Sequence, residues 1–269
     1  MASESLQEAR EKLKLIGGGC IHLTKEEDSG IAVVTLDNPS KKNALSGAMF
    51  IQLEEMINSL KLWDNGRGVI LNSVGDTFCS GSDLSLKKEI SSISGWLLSN
   101  YMSYILNEFF SLPLVTLAVI NGRAMGGGAE LSTSTDFRIF TTSGEVQFVQ
   151  GKMGVTTGWG GGTRLVKILG PRLALDLLVS GRKLTADNAL KIGYADIVIS
   201  GEDIIPIARE WLSDRIKYSP QIIQSMKKVI VGARDLNLNE SYKNETNIFS
   251  PLWCGPLNLE ALNRKLKHK

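Results

Sequence analysis

INGRAMGGGAE (Ile120–Glu130) decides how this chain is read. Three consecutive glycines, Gly126–Gly128, stand between an apolar run, Leu114–Ile120, and the carboxyl side chain of Glu130. Glycine loses more conformational freedom on folding than any other residue, so three in a row imply a close backbone approach. The apolar run, entered through Pro113, reads as a buried strand. The triplet would then leave a strand and open a helix. A helix N-terminus presents unpaired N–H groups and the positive end of the helix dipole. Without Cβ atoms in the way, a ligand carbonyl oxygen could reach those groups. Tight packing of helix on sheet would also use glycines, and both readings stand at this point. The spacing fits neither a dinucleotide fingerprint nor a phosphate loop.

Two other glycine-rich pieces follow strand-like runs: FCSGSDL (Phe78–Leu84) and GWGGGTRL (Gly158–Leu165). The turn Ser80–Asp83 could supply a second N–H. Two such donors aimed at a developing oxyanion are worth about 3–4 kcal/mol each. No activated nucleophile accompanies them: Cys79 lies next to no histidine in sequence, and Ser80 and Ser82 have no nearby base. Enolate stabilisation is favoured over acyl-enzyme chemistry.

Outward from this centre, Ile31–Leu36, Val69–Val74, Arg138–Thr141 and Ala195–Ile199 read as strands. Ser46 is expected to cap a helix carrying Met49, Leu53, Met56, Ile57 and Leu60 on one face. Helices are also expected over 90–110, 163–169 and 172–179, the last two split at Gly170-Pro171. Beyond Asp203 the periodicity is helical, with breaks at Ser219-Pro220 and around Pro251–Pro256. Strands alternating with helices followed by helices alone predict an α/β core with a helical C-terminal region. The expected division is a lead segment (1–19), a core (20–200) and the helical region (201–269).

Composition narrows the function. The chain has 269 residues and a net charge of +2, so no strong field favours nucleic acid or an anionic membrane. The basic tail from Arg264 to Lys269 is read as solvated. Three dispersed cysteines form no CxxC pair, so neither a disulfide framework nor a metal site is expected. With two histidines near opposite ends, a histidine-based triad is not expected either. The opening MASESLQEAREKLKL lacks an apolar run, no stretch is long enough to span a membrane, and cytosol is the expected compartment.

In order, NPSKKNALS, TFCSGSDL, INGRAMGGGAE, DFRIF, GWGGGTRL and SGRKLTADNALKIGYAD resemble the crotonase superfamily, the enoyl-CoA hydratase/isomerase group. The resemblance covers residues 31–230. It implies a spiral of ββα units, an acyl-CoA thioester substrate, no separate cofactor, and a homotrimer or dimer of trimers. It assigns the oxyanion donors to Ser82 and Gly127. Ser80, Ser82 and Leu84 would hold the adenine and pantetheine of coenzyme A, with Lys41 or Lys42 near its phosphates.

Hydratases of the family place two carboxylates around one water. Glu130 fills the first place, and counting back from GWGGGTRL puts Gln150 in the second. An amide is no general base, so hydration and simple isomerisation are both disfavoured. One carboxylate, an oxyanion hole and no second base suit another use of the enolate that the resemblance allows, decarboxylation of a 2-carboxyacyl-CoA. PLWCGPLNLEAL (Pro251–Leu262) adds a resemblance to the ethylmalonyl-CoA decarboxylase group. The chain departs from that group at Gln150, where histidine is expected, and at Thr157, where proline is expected. The implied roles are Glu130 as a buried acid that delivers or relays a proton to C2, Gln150 orienting the leaving carboxylate, and Trp159 as a dry wall. Structural roles for Gln150 and Trp159 remain open. So do a hydratase or isomerase using Glu130 alone and a non-catalytic acyl-CoA-binding scaffold.

Overall fold

The computed structural model describes residues 2–83, 94–201 and 203–266. Its main layer is a six-stranded sheet in the order β1-β2-β3-β4-β6-β9. The strands are β1 (Cys20–Glu26), β2 (Ile31–Asp37), β3 (Gly68–Ser73), β4 (Val115–Ile120), β6 (Phe137–Thr141) and β9 (Ile197–Ile199). Only the β1–β2 pair is antiparallel. Both faces of this sheet are covered, which explains the near-continuous apolar runs. Alternation assigns the faces. Val69, Leu71, Ala118 and Ile120 enter the larger core, whereas Ile70, Leu117 and Val119 enter a smaller one.

A second, shorter layer holds β5 (Arg123–Met125), β7 (Glu145–Gln147) and β8 (Leu184–Thr185). Isolated bridges Leu45↔Ser82 and Cys79↔Ala124 extend it. Successive turns of chain therefore place a strand in the large sheet, a short extended piece in the second layer, and then a helix. That is the ββα spiral expected from sequence. The helices after the first three such turns are α2 (Gly47–Lys61), α3 (Gly95–Phe110) and α4 (Gly127–Ser132). Ser46 caps α2 as expected, its Oγ accepting from the Met49 N–H at 3.2 Å.

The lead segment forms α1 (Ala2–Lys14) and packs on α2 and α3. Ala9, Leu13 and Ile16 are buried in the larger core, so this segment belongs to the core. Further along lie α5 (Gly161–Ser180), α6 (Ala186–Lys191), α7 (Ile204–Ser213), α8 (Pro220–Asp235), α9 (Leu238–Phe249) and α10 (Pro256–Leu266). The α5 helix is interrupted at Gly170 (φ 77°, ψ 164°), where sequence placed the break. From α7, Ala208 and Leu212 cover the smaller core, joined by Ile216 and by Ile223 of α8.

A buried ion pair fastens α8 to the sheet. Lys227 pairs with Asp136, which also accepts from the Thr116 N–H at 2.8 Å and hydroxyl at 2.9 Å. Burial lowers the Lys227 ammonium below its ordinary range, and Asp136 opposes that shift.

Candidate active site

Each glycine of the triplet has its own steric reason. Gly126 has φ 54° and links β5 to α4, a conformation that L side chains rarely adopt. A Cβ on Gly127 would lie 2.3 Å from Cη2 of Trp159. One on Gly128 would lie 2.0 Å from the Cys79 carbonyl oxygen. Close packing and an open helix terminus thus occur together.

The partner turn comes from the second layer. Gly81 has φ 102°, and a Cβ there would lie 3.1 Å from the Gly127 nitrogen. The Leu45 N–H donates to the Gly81 carbonyl at 2.8 Å and the Asp83 N–H to the Leu45 carbonyl at 3.0 Å. The intervening Ser82 N–H must therefore face away from Leu45. Among the described residues, neither the Ser82 nor the Gly127 N–H is donated to another group. Both residues line one cleft of about 420 Å³, together with Glu130, Gln150 and Trp159. Leu98, Val149, Met153 and Val155 give it apolar walls.

Glu130 is 2 % exposed and sits in the first turn of α4. Its Oε1 accepts from Gln150 Nε2 at 3.0 Å and the Gly158 N–H at 3.2 Å. Its Oε2 accepts from the Trp159 N–H at 2.8 Å and the Gly161 N–H at 2.9 Å. These four hydrogen-bonding neighbours are all donors, so the side chain is surrounded as an acceptor. The geometry makes it the anchor of the 158–161 loop. Gly161 is required there, since a Cβ would lie 2.4 Å from Glu130 Cγ.

Gln150 is 9 % exposed, and its Oε1 has no hydrogen-bond partner among the described residues. Trp159 is 8 % exposed and packs edge-on against Phe50 with ring centroids 5.3 Å apart. It serves the core and walls the cleft at once.

Arg164 was not singled out from sequence, although it lies inside GWGGGTRL. Its Nη2 donates to the Trp159 carbonyl at 2.7 Å and the Glu130 carbonyl at 3.3 Å. Burial lowers this guanidinium to about 10, while Glu130 pulls the other way. Ser99 was also missed; from α3 its hydroxyl donates to the Gly158 carbonyl at 2.6 Å. The signal for both is tertiary. Burial pushes the Cys79 thiol up to about 12, which removes it as a nucleophile at neutral pH.

Of the residues expected to hold coenzyme A, Ser80 and Ser82 line the cleft. Lys42 and Ser80 also line an adjoining cavity of about 570 Å³ with Arg123. Lys41 pairs with Asp83 at 2.7 Å. Leu84 and Lys267–Lys269 lie outside the described residues. No helix among the described residues is long and apolar enough to cross a membrane.

The family model described as enoyl-CoA hydratase/isomerase matches residues 26–253. The chain is similar to ethylmalonyl-CoA decarboxylase of Danio rerio, 43 % identical over 266 residues, 97 % of this chain and 88 % of the relative. The ethylmalonyl-CoA decarboxylase of Xenopus laevis is 41 % identical over 273 residues, 100 % of this chain and 91 % of the relative. Among solved structures, an enoyl-CoA hydratase from Bacillus anthracis superposes with a TM-score of 0.81 at 25 % identity, covering 93 % of this chain and 96 % of that one. With its spiral fold, its paired glycine turns and a model match over most of its length, the chain belongs to the enoyl-CoA hydratase/isomerase family.

Proposed function

We propose that this chain decarboxylates short-chain 2-carboxyacyl-CoA thioesters, converting ethylmalonyl-CoA to butyryl-CoA and methylmalonyl-CoA to propionyl-CoA. The observation that carries this reading is the pairing of Glu130 with Gln150. The carboxylate is taken up by four donors, and its partner is an amide. Neither is poised to abstract a proton or activate water, as hydration and isomerisation require. Decarboxylation needs no base to begin. The electron pair of the bond between C2 and the carboxylate moves towards C1 and charges the thioester oxygen. The Ser82 and Gly127 N–H groups receive that oxygen, a contribution of several kcal/mol in a water-poor site.

Carbon dioxide leaves, and C2 takes a proton from water; the hydroxide combines with carbon dioxide as bicarbonate, so atoms and charge balance. In this reading Gln150, held by Glu130, orients the departing carboxylate by hydrogen bonding. It accepts a hydrogen bond from the water that protonates C2. Glu130 acts as a positioning residue: it fixes Gln150 and the 158–161 loop. Trp159 keeps water from the departing carboxylate.

Coenzyme A lies along Ser80 and Ser82, and Lys41 or Lys42 approaches its phosphates; the cavity that Lys42 shares with Ser80 supports this path. Trimers or paired trimers fit the exposed apolar side chains of the C-terminal helices, Met226, Ile230 and Phe249, with Trp253 beyond them. A reducing compartment, the cytosol, suits three unbridged cysteines.

The test is product analysis by mass spectrometry with ethylmalonyl-CoA, methylmalonyl-CoA and crotonyl-CoA. Wild type is expected to form butyryl-CoA and propionyl-CoA and to leave crotonyl-CoA intact. Gln150→Glu, which restores a second carboxylate, is expected to lose decarboxylation and gain slow hydration of crotonyl-CoA. Hydration of crotonyl-CoA by wild type, without decarboxylation, would return the chain to the hydratases.

A further inference from the structure

At the free edge of the large sheet, three side chains converge that take no part in the cleft. Cys20 on β1 and Asp37 on β2 are register partners, directly opposite each other. His22 lies two residues along β1 and therefore projects from the same face. Cys20 Sγ, His22 Nε2 and Asp37 Oδ2 all lie within 4.8 Å of one another.

The contacts are 3.3 Å from Sγ to Nε2 and 2.9 Å from Nε2 to Oδ2. Both neighbours approach the same ring nitrogen. A nucleophilic relay would use the two nitrogens of the imidazole separately, one for the nucleophile and one for the carboxylate. A single nitrogen has one N–H or one lone pair and cannot serve both partners well. Three heteroatoms gathered about a common point have instead the arrangement that a chelate needs.

The donor types select the ion. Thiolate and imidazole favour a borderline transition metal over magnesium or calcium, which take oxygen ligands. Around tetrahedral zinc, such ligand atoms lie about 3.3–3.6 Å apart, given bond lengths of about 2.0–2.3 Å. The three atoms reach those separations by small movements of side chains that solvent leaves free to adjust. His22 is 57 % exposed and Asp37 35 %. Thiolate and carboxylate together balance a divalent charge.

We propose that Cys20, His22 and Asp37 bind a divalent ion of the zinc class through three protein ligands, with solvent in the fourth position. The dispersed cysteines gave no expectation of a metal site, because the third ligand becomes visible only through the strand register.

The test uses the full chain, reduced and stripped with a chelator, then titrated with Co²⁺. One equivalent is expected to produce thiolate-to-cobalt charge-transfer absorption, which Zn²⁺ then abolishes by displacement. The band should disappear in Cys20→Ser and in His22→Ala and persist in Cys254→Ser, whose cysteine is exposed elsewhere. Circular dichroism checks that each variant is folded; Asp37→Asn, expected to weaken Co²⁺ binding, provides a further folded variant. Absence of the band in wild type, or its survival in folded Cys20→Ser, overturns the proposal.

Discussion

Replacing Glu130 with glutamine exchanges one carboxylate oxygen for an NH2 group and leaves the volume almost unchanged. The consequence follows from the four donors around it. Whichever oxygen is exchanged, two of them lose their acceptor: either Gln150 Nε2 and the Gly158 N–H, or the Trp159 and Gly161 N–H groups. The new amide adds buried donors that face donors. Each buried donor left unsatisfied costs about 1–3 kcal/mol, so the expected loss is roughly 2–6 kcal/mol. That is a large share of a total stability of about 5–15 kcal/mol. Urea denaturation followed by circular dichroism measures it: the midpoint should fall sharply while the slope stays constant. A loss below about 0.5 kcal/mol, within the range of ordinary surface substitutions, would mean that the four donors do not depend on the carboxylate. The anchoring role would then be refuted.

Gly127→Ala sets a methyl carbon 2.3 Å from Trp159 Cη2 and should cost about 1–3 kcal/mol by overpacking. Adding Trp159→Leu should recover most of it in thermal melts; additive losses would show that the two residues do not meet. Lys227→Met leaves Asp136 buried without its cation and should destabilise by about 3–5 kcal/mol in chemical denaturation. Hydrogen bonds from Arg234, then Lys167, hold Asp235 at about 2, below its ordinary 3.8. Because the folded value is the lower one, its stabilisation is present above pH 3.8 and is lost as pH falls towards 2. Wild type and Asp235→Asn should therefore differ in melting temperature at pH 7 and converge near pH 2; a gap that widens in acid would contradict this.

The large sheet was legible because burial on both faces writes unbroken apolar runs into β2, β3 and β4. β1 was not anticipated. It reads CIHLTKE, pairs on one side only, and buries only Ile21, so it lacks the pattern that reveals a central strand. β5, β7 and β8 are two or three residues long, too short for any period to register. The glycines announced a site, but their contacts belong to the fold: Trp159 over Gly127, the Cys79 carbonyl at Gly128, Glu130 against Gly161. Counting back from the later glycine loop found Gln150, and Glu130 was found beside its triplet. That the two touch across 20 residues, with every donor turned towards the carboxylate, required coordinates.

The crowd of donors around Glu130 divides the pocket into positions that tolerate exchange and one that does not. Position 150 contributes a single strand of the web, so a different side chain there could redirect the chemistry while the fold survives. Position 130 carries the whole web. A lineage exploring new reactions on this scaffold is free to vary its chemistry from the periphery inward, and it meets resistance at the carboxylate on which the walls of the pocket hang.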